Sequence, residues 1–156
     1  MTDAEYEEVK GQLHQIINEW HPALGLGWWD ISLEHVRDEG VFDGGDDEAR
    51  RNPGCVARTQ TQWEYLQATI TFCMPRLHGR TYEDLEEIML HELVHMFVGE
   101  MRDCMRCDCG VDKFDVKHEE RVVTQLTKAF GSTRTHFEKP RANREAGPFE
   151  GGKDAA

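Results

Sequence analysis

A chain of 156 residues, 38% hydrophobic and 31% charged, has the length of a single domain with a genuine core. Its 18 Lys and Arg against 30 Asp and Glu leave a net charge of −12, which repels a phosphate backbone and argues against nucleic acid as a partner. No apolar run approaches the ~20 residues of a membrane span, and Met1-Thr2-Asp3-Ala4-Glu5 lacks the basic and apolar regions of a signal peptide, so the expectation is a cytoplasmic protein without a membrane partner.

Tyr6, Val9, Leu13, Ile16, Ile17 and Trp20 recur at helical spacing and predict an amphipathic helix over residues 3–20, ended by His21-Pro22. After the Gly25-Leu26-Gly27 turn, Trp29, Ile31 and Leu33 alternate with polar residues as in a half-buried strand, and His35 continues the alternation as a core-edge histidine. Residues 37–54 carry turn residues and charge without a period and read as a loop; their acidic run does not match a calcium-loop spacing. Two further strands are expected over residues 55–63 and 67–74, with Ala68, Ile70, Phe72 and Met74 facing one way and Pro75 ending the run.

The segment that carries chemistry comes next. Thr81 and Asp84 form a capping-box pair that starts a helix near Tyr82, and Gly99 reads as its stop. Within it, His91-Glu92-Leu93-Val94-His95 spells H-E-x-x-H. Two histidines four apart on a helix lie about 40° apart around its axis, so both imidazoles can reach one ion. Glu92 lies about 100° round from His91, placed to accept a proton from a water on that ion. Leu85, Ile88, Met89, Leu90, Val94, Phe97 and Val98 make the segment apolar on much of its circumference. Two histidines and a glutamate on a buried helix cost several kcal/mol unless paired or metal-bound, which favours a metal site over core histidines.

A catalytic zinc takes a third protein ligand and keeps one position open. The extension H-E-x-x-H-x-x-G-x-x-H is absent, because Val98 and Met101 stand where glycine and histidine would be. A second helix over Lys117–Phe130, closed by Gly131, offers carboxylates instead. Relative to its stripe of Val122, Val123, Leu126, Ala129 and Phe130, Glu119 points about 20° from centre, His118 about 80° and Glu120 about 120°. Glu119 is the expected third ligand, with His118 and Glu120 as the alternatives. Cys104, Cys107 and Cys109 fall between the two helices; an odd total of five cysteines speaks against a disulfide framework. Reduced thiols are expected there, and a second, structural zinc ion is the alternative. Beyond Gly131 the composition turns polar, Gly- and Pro-rich, giving a domain over residues 1–136 and a flexible tail over residues 137–156.

The order of an N-terminal helix, strands, H-E-x-x-H and then E-x-x-V-x-x-L over residues 3–131 resembles the compact zincin-type metallopeptidases of the gluzincin kind found in phage and mobile-element proteins. The resemblance implies an α+β zincin-like fold, with a small, mostly antiparallel sheet packed against the N-terminal helix, the H-E-x-x-H helix and a third-ligand helix. It implies one catalytic Zn2+ on His91, His95 and Glu119, with Glu92 activating a water for attack on a peptide or protein substrate. It also implies that the strand before the metal helix, residues 67–73, is the edge along which substrate lies. The chain departs from larger gluzincins in offering no second-domain residues for transition-state stabilisation, for which Tyr65, Tyr82 and His118 are the candidates. SprT-like proteases also carry H-E-x-x-H but ordinarily bring basic surface. A non-catalytic protein that keeps the metal as a clamp between two helices is the alternative of a different class.

Overall fold

The computed structural model describes residues 1–44, 54–109 and 116–138, with side chains described for residues 1–43, 54–99 and 119–133. The chain is α+β. Helix α1 (Asp3–Ala23) leads to strand β1 (Asp30–Val36), a short helix α2 (Glu39–Gly44), strand β2 (Ala57–Gln62), a 3-10 turn and strand β3 (Gln67–Cys73). A single-turn helix α3 (Met74–Leu77) and two long helices, α4 (Tyr82–Cys109) and α5 (Val116–Glu138), complete it.

Helix α1 begins where expected, at a capping box in which the Thr2 hydroxyl accepts from the Glu5 backbone N–H and the Glu5 carboxylate accepts from the Thr2 backbone N–H. It does not stop at His21-Pro22 but includes Pro22 in its last turn. A proline there costs one helical hydrogen bond, while buried Trp20 holds the turn in place by donating from Nε1 to Glu86 of α4. The stop is Gly25, whose φ of +72° lets Leu26 N–H reach back to the His21 carbonyl.

The sheet has the order β1-β3-β2 and is mixed, not mostly antiparallel: β1 runs parallel to β3, and β2 antiparallel to it. This corrects the expected position of residues 67–73. Strand β3 is central, paired on both sides, and the edge beside α4 is β2. The register carries one alternation across all three strands: Leu33 and Thr59 both pair with Ile70, and His35 and Ala57 with Phe72. One face, with Ile70 and Phe72 fully buried, packs under the helices. The other carries polar ladders, Ser32 against Thr69 and Thr71 donating to Glu34. His35 is half-buried at the core edge, as expected, with its ring stacked on Phe72.

Leu13 and Ile16 of α1 join Leu85, Met89 and Leu93 of α4 with no exposed surface, each such side chain contributing about 1.5–3 kcal/mol of burial. This core fixes α4 between α1 and the sheet. Residues 37–54, expected to be a loop, contain α2, which delivers fully buried Phe42 to the interior. Its aperiodic sequence hides it because six residues make less than two turns. Arg58 and Arg76 lie over the Phe42 ring, and Arg76 is paired with Glu39 and Asp43. The acidic residues beyond Gly44 lie outside the described residues; of the tail expected over residues 137–156, residues 137 and 138 belong to α5 and the rest lies outside the described residues.

Candidate metal centre

Helix α4 starts as its sequence signals. Thr81 Oγ1 accepts from Asp84 N–H at 3.2 Å, and Asp84 returns the bond to Thr81 N–H. It does not end at Gly99 but continues to Cys109. Gly99 faces β2: a Cβ built there would lie 3.7 Å from Thr61 Oγ1. Glycine weakens a helix interior by about 1 kcal/mol, too little to end one whose face is packed. The cluster Cys104–Cys109 is therefore part of α4 in its backbone, not a loop between helices, and its thiols lie outside the described side chains. The free cysteines among the described residues are Cys55 and Cys73, and burial pushes both thiols up.

Helix α5 likewise runs through Gly131 to Glu138. Among its described side chains the buried ones are Glu119, Val123 and Thr127, with Leu126 and Phe130 half-buried; Val122 and Ala129 of the expected stripe are exposed. Glu119 is inward, as its direction predicts, and only 5% exposed.

Helices α4 and α5 pack together at the H-E-x-x-H turn. His91 Nε2 and His95 Nε2 face each other at 3.2 Å. Glu120 reaches both, its Oε2 lying 3.3 Å from His91 Nε2 and its Oε1 3.3 Å from His95 Nε2. Glu119 lies on the opposite side of the His95 ring, Oε1 3.3 Å from Nδ1. The expected third ligand thus approaches the nitrogen turned away from His91, while Glu120, one of the two alternatives, joins the two facing nitrogens although its side chain is 50% exposed. His118 lies in α5 beside them, with its side chain outside the described set. Tyr65 stands exposed on the turn after β2, and Tyr82 is nine residues before His91, about 14 Å along the helix.

The donor set fits a small divalent ion. One atom each from His91, His95 and Glu120 lie within 4.8 Å of one another. A tetrahedron with bonds of about 2.0–2.1 Å has edges of about 3.3–3.4 Å, close to the 3.2 Å between the two Nε2 atoms and to the 3.3 Å from each of them to a different oxygen of Glu120. Because a carboxylate accepts, His95 Nδ1 carries a hydrogen toward Glu119, so Nε2 is the nitrogen that a metal would take in place of a proton.

The charges agree with this grouping. Burial opposes a charge on His95, but hydrogen bonds to Glu119 and Glu120 outweigh it and lift the imidazole to about 10. Hydrogen bonds from His91 and then His95 hold Glu120 below the ordinary carboxylate range. Glu92, 6% exposed, is pushed up by burial, against the pull of a hydrogen bond from Thr59. That contact is 2.7 Å from Thr59 Oγ1 to Glu92 Oε2, with the Glu92 carbonyl oxygen 3.1 Å from the same hydroxyl. Sequence reasoning missed Thr59. Its signal is the alternation Ala57, Thr59, Thr61 along a strand, which places a hydroxyl on the face that meets α4.

No family model matches the chain, and neither a curated protein nor a solved structure matches it. Among the described residues, no helix is long and apolar enough to cross a membrane.

Proposed function

We propose that this chain is a zinc-dependent peptidase whose ion is held by His91, His95 and Glu120. The observation that carries the reading is the convergence of these three donors, from two helices, at 3.2–3.3 Å beside the buried carboxylate of Glu92. Glu119 takes a supporting role on His95 in place of the ligand role expected of it. Zinc held there would supply a Lewis acid for a carbonyl oxygen and a water acidified toward neutrality. Glu92 would take a proton from a water at that position and deliver it to the departing amine, a transfer suited to a carboxylate whose burial raises its proton affinity. His95 keeps its orientation through the Nδ1–H bond to Glu119.

A polypeptide substrate is favoured by β2. No strand pairs with its outer side among the described residues, and its Thr59 touches the proposed base. An extended peptide added to such an edge gains main-chain hydrogen bonds beside the reacting group.

The deciding experiment combines zinc content with hydrolysis of a fluorescence-quenched casein. About one zinc per chain, lost in His91→Ala, together with cleavage abolished in Glu92→Gln at unchanged zinc, is the expected result. Parent protein without zinc, or Glu92→Gln cleaving at the parent rate, sinks the proposal. Zinc bound without hydrolysis, with the cooperative melt lost on chelation, would identify a structural clamp.

A further inference from the structure

The proposed base lies in a closed environment, and one side chain from outside its own helix is hydrogen-bonded to it. Glu92 is 6% exposed, and Thr59 Oγ1 stands 2.7 Å from its Oε2. A hydroxyl has one hydrogen, and the carboxylate contact is shorter than the 3.1 Å contact to the Glu92 carbonyl, so the carboxylate receives it. The donor is set on a rigid element: Thr59 is central in β2, paired with Ile70 of β3, which has no exposed surface. The two elements also meet near Thr61, whose Oγ1 lies 3.7 Å from where a Cβ on Gly99 would stand. Thr59 therefore has a fixed position relative to α4, whereas a glutamate side chain alone rotates about three bonds.

We propose that Thr59 is a positioning residue for the hydrolytic step, holding one oxygen of Glu92 so that the other is presented to the His91–His95–Glu120 cluster. The proposal rests on Glu92 being the base. Thr59 keeps its own proton throughout; the water proton passes to the free Glu92 oxygen and then to the leaving amine, so no further reactant is needed. A base held within a narrow angle of its proton donor retains reactivity that a rotating one loses.

The test uses the zinc-loaded full chain with acetohydroxamic acid, which chelates a metal through two oxygens and gives up a proton to a neighbouring acceptor. Its affinity is measured by calorimetry at one pH for parent, Thr59→Val, Thr59→Ala, Thr59→Ser and Glu92→Gln, beside zinc content, melting and casein turnover. Losing a hydrogen bond to a charged group predicts about ten- to a hundredfold weaker hydroxamate binding in Thr59→Val, with a like fall in kcat and little change in KM. Thr59→Ser restores both, and zinc content stays the same in all. If Thr59→Val fails to fold, the Thr59→Ala and Thr59→Ser pair carries the same comparison.

Parent-like hydroxamate binding in the hydroxyl-free variants, with Glu92→Gln weakened, overturns the role of Thr59 and leaves the base assignment standing. Parent-like binding in Glu92→Gln as well removes that assignment and the role of Thr59 with it. Loss of zinc or of the melt in Thr59→Ala, unrepaired by serine, would make the residue structural and also overturn the proposal.

Discussion

Glu119 and His95 face each other across the α4–α5 seam, the buried carboxylate 3.3 Å from Nδ1, on the far side of the ring from His91. An imidazole held in this way has its second nitrogen directed at one point. Adjacent glutamates on α5 consequently divide two tasks: Glu120 meets the facing Nε2 atoms, and Glu119 orients one of the rings.

This division predicts a ranking of zinc affinities. Removing an orienting carboxylate from a metal-bound histidine costs about 10- to 100-fold, and removing a ligand costs more. Glu119→Gln should therefore weaken zinc by that amount, and Glu120→Gln beyond it, in competition titrations against a chromophoric chelator. The reverse ranking would restore Glu119 as the ligand, as its inward direction on the helix first suggests.

Stability of the metal-free protein should depend on His95 with a definite sign. Its folded value, about 10, lies above its ordinary 6.5, so the folded state binds the proton more tightly than the unfolded one. The resulting stabilisation is complete below about pH 6.5 and is lost as pH rises through about 10. Glu120 acts in the opposite sense: its lowered value contributes stability above its ordinary 4.5, lost as pH falls toward its folded value. Melting of zinc-free parent and His95→Gln across about pH 6 to 10 isolates the first contribution. The difference between them should shrink toward alkaline pH; a constant difference would mean that His95 is not charged in the folded state. Zinc must displace the Nε2 proton, so its affinity should rise over the same interval.

Much of this arrangement is legible in the sequence, and what is not has physical causes. The start of α4 is spelled by Thr81 and Asp84 because a cap is local chemistry; its end is not, because Gly99 lacks the positive φ of a capping glycine and tertiary packing carries the helix onward. The direction of Glu119 follows from helical periodicity even though Val122 and Ala129 are exposed. Inward, however, means toward the core, and the two histidines lie at the rim of the seam, where the half-exposed Glu120 reaches them. The central place of β3 is a property of pairing between distant segments, which alternation within one strand does not encode. Thr59 is invisible for the same reason: its role depends on β2 meeting α4.

Gly99 provides a stability test of the uninterrupted α4. Its backbone does not have the positive φ seen at Gly25 and Gly79, and a methyl group would make ordinary contact with Thr61 Oγ1. Gly99→Ala should raise stability by about 0.5–1 kcal/mol, through the higher helix propensity of alanine. Urea denaturation measures this directly. A loss of more than about 1 kcal/mol, the cost expected where glycine caps a helix in the left-handed region, would place the helix end at Gly99 after all.

Phe42 tests whether α2 belongs to the folded core. It has no exposed surface, and the guanidinium groups of Arg58 and Arg76 stand 5.1 and 5.7 Å from its ring centre. Truncation removes the ring and leaves a cavity beneath two cations, so Phe42→Ala should cost about 3–5 kcal/mol. Phe42→Leu keeps most of the apolar volume and should cost less. Arg76 is anchored independently, with a hydrogen bond to the Cys55 carbonyl at 2.8 Å beside its pairs with Glu39 and Asp43. It ties α2 to the segment entering β2, the strand that carries Thr59. Destabilisation at Phe42 should therefore reach β2, with faster amide exchange there than in α1. Unchanged exchange in β2 would show that α2 caps the core without supporting the strand beside the His91–His95–Glu120 cluster.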